Sequence, residues 1–269
     1  MRNPAVAGSF YPSDREELRA LVKQCFVTGP GLPGACRNER KIAAVLVPHA
    51  GIGVSGSCAA YSFKSLAEDG RPEAYIVIGP DHYGIPYETV MCSEDYLTPL
   101  GPVHVHQDIA RKLRELIPDD VRAHSREHSI EVECPFLQFI DSKAQIVPII
   151  MSRQSRNMAE RLAGIVKAAC KGRDVVVVAS SDLVHYVPKD YADKADAAFL
   201  KCVAEQNIGG IYDLVMRDRL SVCGYGPIST ALMATVPSKV DILDQTDSYE
   251  TIHYDRTAVV GYGSAVMYK

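Results

Sequence analysis

Residues 42 to 51 read Ile42-Ala43-Ala44-Val45-Leu46-Val47-Pro48-His49-Ala50-Gly51. Six apolar residues without polar alternation suit an interior strand covered on both faces, and a proline and a histidine then end the run. Three further runs share this character: 75 to 78 (Tyr-Ile-Val-Ile), 146 to 151 (Ile-Val-Pro-Ile-Ile-Met) and 175 to 179 (Val-Val-Val-Val-Ala). Between and around them, residues 13–26, 55–68, 106–116, 155–171 and 189–206 place apolar residues at helical spacing, several after a capping Ser or Asp. This alternation is the βαβ rhythm of an α/β protein. Adjacent strand-like runs at 239–245 and 257–267 predict an antiparallel part, so the expected fold is a mixed central sheet flanked by helical layers.

The Gly/Pro-rich stretch 28–40 is too short to separate domains, and residues 1–269 are expected to form one. With 47% hydrophobic and 23% charged residues the chain has an ordinary globular balance. A net charge of -4 without a dense basic stripe gives no electrostatic reason to bind nucleic acid. No apolar window approaches a membrane span, and nothing after Met1 resembles a signal peptide, so a cytoplasmic protein is expected. The eight cysteines, scattered and without a CxxC pair, read as reduced thiols.

In α/β sheets ligands bind beyond the carboxyl ends of strands, so the residues after each apolar run carry the information. Three runs end alike: Pro48-His49-Ala50-Gly51, Gly79-Pro80-Asp81-His82-Tyr83, and Ser180-Ser181-Asp182-Leu183-Val184-His185-Tyr186. Clustered imidazoles serve proton transfer or metal binding. In the third loop only the His185 ring is suited to moving a proton near neutrality, and Asp182 is expected to orient it or hold a metal-bound water. Gly51-Ile52-Gly53-Val54-Ser55-Gly56 also fits G-x-G-x-x-G, but Pro48-His49 separates strand from glycine, and a Gly-rich turn with Ser55 as a helix cap is the plainer reading.

His104 and His106 alternate as on a solvated strand face. Glu127-His128-Ser129-Ile130-Glu131-Val132-Glu133 reads as the opening of a helix before Pro135; Glu131 is a candidate cap, and Glu127 and His128 are placed near the pocket. His124 and His253 have no partner in sequence. Cys223 differs from the other thiols because Cys223-Gly224-Tyr225-Gly226-Pro227-Ile228 puts it just before a helix, where a thiolate is favoured.

Together with Arg2-Asn3-Pro4-Ala5-Val6-Ala7-Gly8-Ser9-Phe10-Tyr11-Pro12 and Glu127-His128-Ser129-Ile130-Glu131, these motifs resemble, in order and over essentially the whole chain, the Memo-like proteins, protein B of the AmmeMemoRadiSam system. The resemblance implies a fold shared with class III extradiol dioxygenases, which are non-haem iron enzymes. On that pattern His49, His82 and Cys223 match metal-ligand positions, and Cys223 stands where the dioxygenases carry a glutamate. His185, matching their acid/base histidine, Asp182 and His128 are the candidate catalytic residues. The expected cofactor is Fe(II), with copper or zinc as alternatives because thiolate is a softer ligand. The expected function is a non-haem, metal-dependent oxidoreductase acting on a small molecule or a peptide; a non-catalytic metal- or protein-binding module and a metal-assisted hydrolase are the alternatives. The system's name implies an AMMECR1-like protein and a radical SAM enzyme as partners. Where the family's motifs usually carry aromatics and an Asn, this chain has Ile52, Val54 and Asp81, which alters the pocket wall and adds negative charge beside His82.

Overall fold

A computed structural model describes residues 1–269. Ten strands form the central sheet: β1 (Ile42–Val47), β2 (Ala74–Pro80), β3 (Thr89–Met91), β4 (Tyr96–Thr98), β5 (Gly101–Val105), β6 (Gln145–Met151), β7 (Val175–Ser180), β8 (His185–Val187), β9 (Lys239–Asp247) and β10 (Val259–Tyr268). They run in the order β4-β5-β6-β2-β7-β1-β10-β8, with β3 added to β6 and β9 to β10. The block from β5 to β1 is parallel, and the other pairings, including β1 with β10, are antiparallel. The sheet is therefore mixed, as the sequence predicts. Every residue of β1 and β2 is buried, which is why neither shows polar alternation.

The helices are α1 (Arg15–Thr28), α2 (Ile52–Asp69), α3 (Gln107–Arg114), α4 (Val121–His124), α5 (Cys134–Ile140), α6 (Arg156–Ala169), α7 (Lys189–Ala204), α8 (Ile208–Met216), α9 (Tyr225–Thr235) and α10 (Ser248–Ile252). One layer is built from α1, α2 and α5, with α2 lying on β1 and β10; α3, α6, α8 and α9 make the other, with α9 against β7 and β1. Asp14 caps α1 by accepting from the N–H groups of Glu16 and Glu17, and Ser155 caps α6 through the N–H of Met158.

Several local expectations need correction. Ser55 does not cap α2. The helix starts at Ile52 after Gly51, and the Ser55 hydroxyl donates to the Ala50 carbonyl at 3.2 Å. The first helical N–H, that of Ile52, donates to the Phe10 carbonyl at 2.8 Å, so a chain segment occupies a place that a phosphate would need. Gly56 serves packing: a Cβ there would lie 2.6 Å from the Cys25 sulfur on α1. Residues 127–130 are not helical; a 3-10 turn at Glu131–Glu133 leads into α5. Glu131 is a buried ion-pair partner rather than a cap. His104 is exposed on β5 beside Asp95, whereas His106 is buried and caps α3 through the N–H of Ile109, because the strand ends between them. The sequence reading missed α8, whose Gly209 and Gly210 weaken a helical pattern.

Candidate metal centre

Parallel pairing sets β2, β7 and β1 side by side and aligns their carboxyl ends. The loops that follow carry His82, Ser181-Asp182 and His49 to one place, and the turn before α9 brings Cys223 to meet them. Single donor atoms of His49, His82 and Cys223 all lie within 4.8 Å of one another. The Cys223 sulfur is 3.3 Å from Nε2 of His49, and the His49 and His82 rings stand nearly perpendicular with centroids 5.2 Å apart.

Each donor is held from behind. The His49 backbone N–H donates to Oδ1 of Asp182 at 2.7 Å, and its Nδ1 lies 2.6 Å from the Ser180 hydroxyl. His82 is held twice by Glu127, whose Oε1 is 2.9 Å from Nδ1 and whose Oε2 accepts the His82 backbone N–H at 2.8 Å. Both rings therefore keep Nε2 for the centre, an arrangement common around metal-ligating histidines. The Cys223 sulfur accepts the Asp182 N–H at 3.2 Å, and its carbonyl accepts from the Gln154 side chain at 2.7 Å. Gly224 is needed for this approach, since a Cβ there would fall 2.5 Å from the Ser180 carbonyl oxygen.

Electrostatics fit a cation. Burial, aided by the neighbouring His82 and His128 rings, pulls the His49 imidazole well below its ordinary value, so it is neutral and able to ligate. Burial also holds His128 down at about 4. Glu127 is held down at about 2: burial alone would raise it, but the hydrogen bond and charge of His82 outweigh that effect, and the same carboxylate raises His82 against burial. Burial and the nearby Asp182 push the Cys223 thiol up, so the helix start does not itself favour a thiolate here, as the sequence had suggested. A bound cation would supply the missing drive for deprotonation. Two imidazoles, that of His49 already neutral, and one thiol at mutual ligand distance fit a transition metal, which would displace the proton that Glu127 favours on His82.

The remaining sequence candidates lie around these donors. The His128 ring is 4.4 Å from that of His82 and 4.7 Å from Phe10, and its Nδ1 has no hydrogen-bond partner. Asp182 is buried, with its carboxyl pushed by burial up to about 6. It anchors the backbone of His49 and does not orient His185; the latter's Nδ1 is 2.7 Å from the Ser221 carbonyl, to which it can only donate. The Asp81 carboxylate accepts the N–H groups of Tyr83, Gly84 and Ile85, and its negative charge adds to the effect of Glu127 in raising His82. Ile52 is buried.

Sequence reasoning overlooked two supports. Arg2 is buried and bonded to the carboxylate of Glu131 and to the carbonyls of His124 and Glu127. Glu131 also accepts from Ala5, Val6 and Tyr11, so residues 2–11 are pinned to the segment bearing Glu127 and His128. Phe10 then forms a wall against His128. The second support, Gln154, fixes the Cys223 turn from both sides by also accepting the Gly226 N–H.

This fold and donor cluster define an α/β protein with a two-imidazole, one-thiol centre at the carboxyl ends of its parallel strands. The family model described as Memo-like protein matches residues 2–266. MEMO1 family proteins of Nitrosopumilus maritimus and Sulfolobus acidocaldarius are 35% and 39% identical to this chain, covering 98% and 97% of both sequences respectively. The chain belongs to the Memo-like family. An uncharacterized protein from Escherichia coli K12, only 16% identical, shares the fold with a TM-score of 0.59 over 84% of this chain and all of that one.

Proposed function

We propose that this protein binds one transition-metal ion through His49, His82 and Cys223 and acts as a non-haem, metal-dependent oxidoreductase on a small molecule or a modified peptide side chain. Iron(II) is the first choice of metal. The reading rests on one observation: three ligand atoms from three separate loops converge within 4.8 Å, each backed by a hydrogen bond from or to the protein. Such a metal, when bound, supplies Lewis acidity and a redox couple. The chain's own residues hold the protons. His185, fixed at Nδ1 by Ser221, keeps Nε2 for exchange with a substrate, and Asp182, with its carboxyl at about 6, sits at the same loop in a range suited to proton transfer at neutral pH. Phe10 packs on the His128 ring, which in turn packs on that of His82, giving the centre one aromatic wall.

Anaerobic purification followed by elemental analysis should yield about one equivalent of metal per chain. Folded His49→Ala, His82→Ala and Cys223→Ala proteins should lose it, and retention by all three would refute the site. For turnover, the expected product carries oxygen from O₂; oxygen from water alone would favour a hydrolase.

A further inference from the structure

Glu133 is a buried carboxyl group behind the centre that the proposed function leaves unused. It lies in the 3-10 turn at Glu131–Glu133, fully shielded from solvent, with Oε1 2.9 Å from the Ser180 hydroxyl and Oε2 without any partner. The Ser180 oxygen has two other neighbours at 2.6 Å, the Ser129 carbonyl and Nδ1 of His49.

A hydroxyl has one proton to give and two lone pairs to accept with. The Ser129 carbonyl can only accept, so it takes the Ser180 proton. Both lone pairs must then receive protons from outside: one from Nδ1–H of His49 and one from Glu133. If Glu133 were ionised, it would compete with Ser129 for a single proton and leave one oxygen pair in contact without any. It would also bury a charge with one oxygen unsolvated, a far greater cost than an orphaned carbonyl-type oxygen. We infer that Glu133 is a neutral carboxylic acid whose proton fixes Ser180 as an acceptor, so that His49 is locked as the Nδ1–H tautomer with its Nε2 lone pair turned toward Cys223. Burial, with a further contribution from Asp182, pushes the Glu133 carboxyl upward, in agreement with the hydrogen-bond count. Glu133 is thus a positioning residue acting through Ser180. Its neutrality also adds no negative charge behind His49, leaving the donor set with one anionic ligand at most.

The protonation and tautomer assignments stand without a metal; only their effect on affinity rests on the proposed centre. Infrared difference spectra of the metal-free protein and Glu133→Gln at about pH 8, where Asp182 (about 6) and Asp196 (about 7) have ionised, test the first. The expected result is a carboxylic-acid C=O band, shifted in D₂O, that is present in the wild type and missing from the variant. Nitrogen-15 NMR should find His49 protonated at Nδ1 in both proteins, because the Gln amide can still donate to Ser180. Glu133→Leu should mix the two tautomers and weaken metal binding by about tenfold, whereas Glu133→Gln stays within about threefold of wild type. Absence of the acid band, or an Nε2–H His49 in the wild type, would overturn the inference even if Glu133→Leu does not fold. A wild-type protein that shows the band but takes up no metal would remove the proposed function and leave the state of Glu133 established.

Discussion

Glu127 grips His82 with both of its oxygens, one on the ring Nδ1 at 2.9 Å and the other on the backbone N–H at 2.8 Å. The ring therefore cannot rotate away without breaking its contact to Oε1, while the contact to Oε2 fixes the backbone that carries it. Since partners of this kind are worth about 10- to 100-fold in metal affinity, Glu127→Ala should weaken metal binding by that range, as read in a chelator competition titration. An unchanged affinity in the folded variant would show that His82 needs no such hold.

Because the Cys223 thiol is pushed up by burial, it carries its proton at neutral pH in the metal-free protein, whereas His49 is already neutral. Metal binding at about pH 8 should therefore release at least one proton per ion, that of Cys223, with any proton still held on His82 added to it, measured with a pH indicator in weak buffer. Affinity should fall as pH falls, and the fall should begin above the usual imidazole range because Glu127 raises His82. Equal proton release from wild type and Cys223→Ala would exclude the sulfur as a ligand.

The Arg2–Glu131 pair has side chains 1% and 0% exposed, so loss of one partner strands a buried charge. Arg2→Met should cost about 3–5 kcal/mol of stability. Removing both charges, as in Arg2→Met with Glu131→Leu, should cost less than the single change. Chemical denaturation of the two variants decides it; a double variant weaker than the single one would mean that hydrogen bonds to the carbonyls of His124 and Glu127 matter more than the charge pair.

His124 is buried between the Tyr96 hydroxyl and the Val90 carbonyl, and burial pulls it to about 4. An unfolded histidine titrates near 6.5, so the unfolded state binds the proton more readily. Its contribution is whole above about 6.5 and is lost as pH falls toward about 4, by up to about 3 kcal/mol. In metal-free protein, the denaturation midpoint should drop more steeply over this range for wild type than for His124→Asn. Parallel curves would place the acid sensitivity elsewhere.

The central strands were readable because burial on both faces writes itself into consecutive residues, as in Val175–Ala179. Histidines at the ends of such runs were readable for a related reason: parallel strands bring their carboxyl ends together, so position along the chain becomes position in space. The supports were not readable. Arg2 reaches Glu131 across 129 residues and Gln154 reaches Cys223 across 69, and neither partnership leaves a local period. His106 and Ser55 misled because one polar residue near an element boundary serves equally as strand face, cap or turn until the neighbouring chain is in place. The Cys223 thiol misled for a different reason, since burial outweighed the influence of the helix start.

The sulfur of Cys223 and the ring of His49 are separated by 174 residues, and the strands that align His49 with His82 are joined through β7, which comes later in the chain than either. The donor cluster is therefore a late product of folding. During synthesis His49 and His82 emerge long before β7 can fill the gap between their strands, and a chain ending before Cys223 lacks one of the three donors. Closure of such distant contacts is slow, so metal capture should trail the appearance of helical structure in a refolding experiment. Bound metal would then count only molecules whose sheet is complete, and it would hold those molecules against unfolding by mass action.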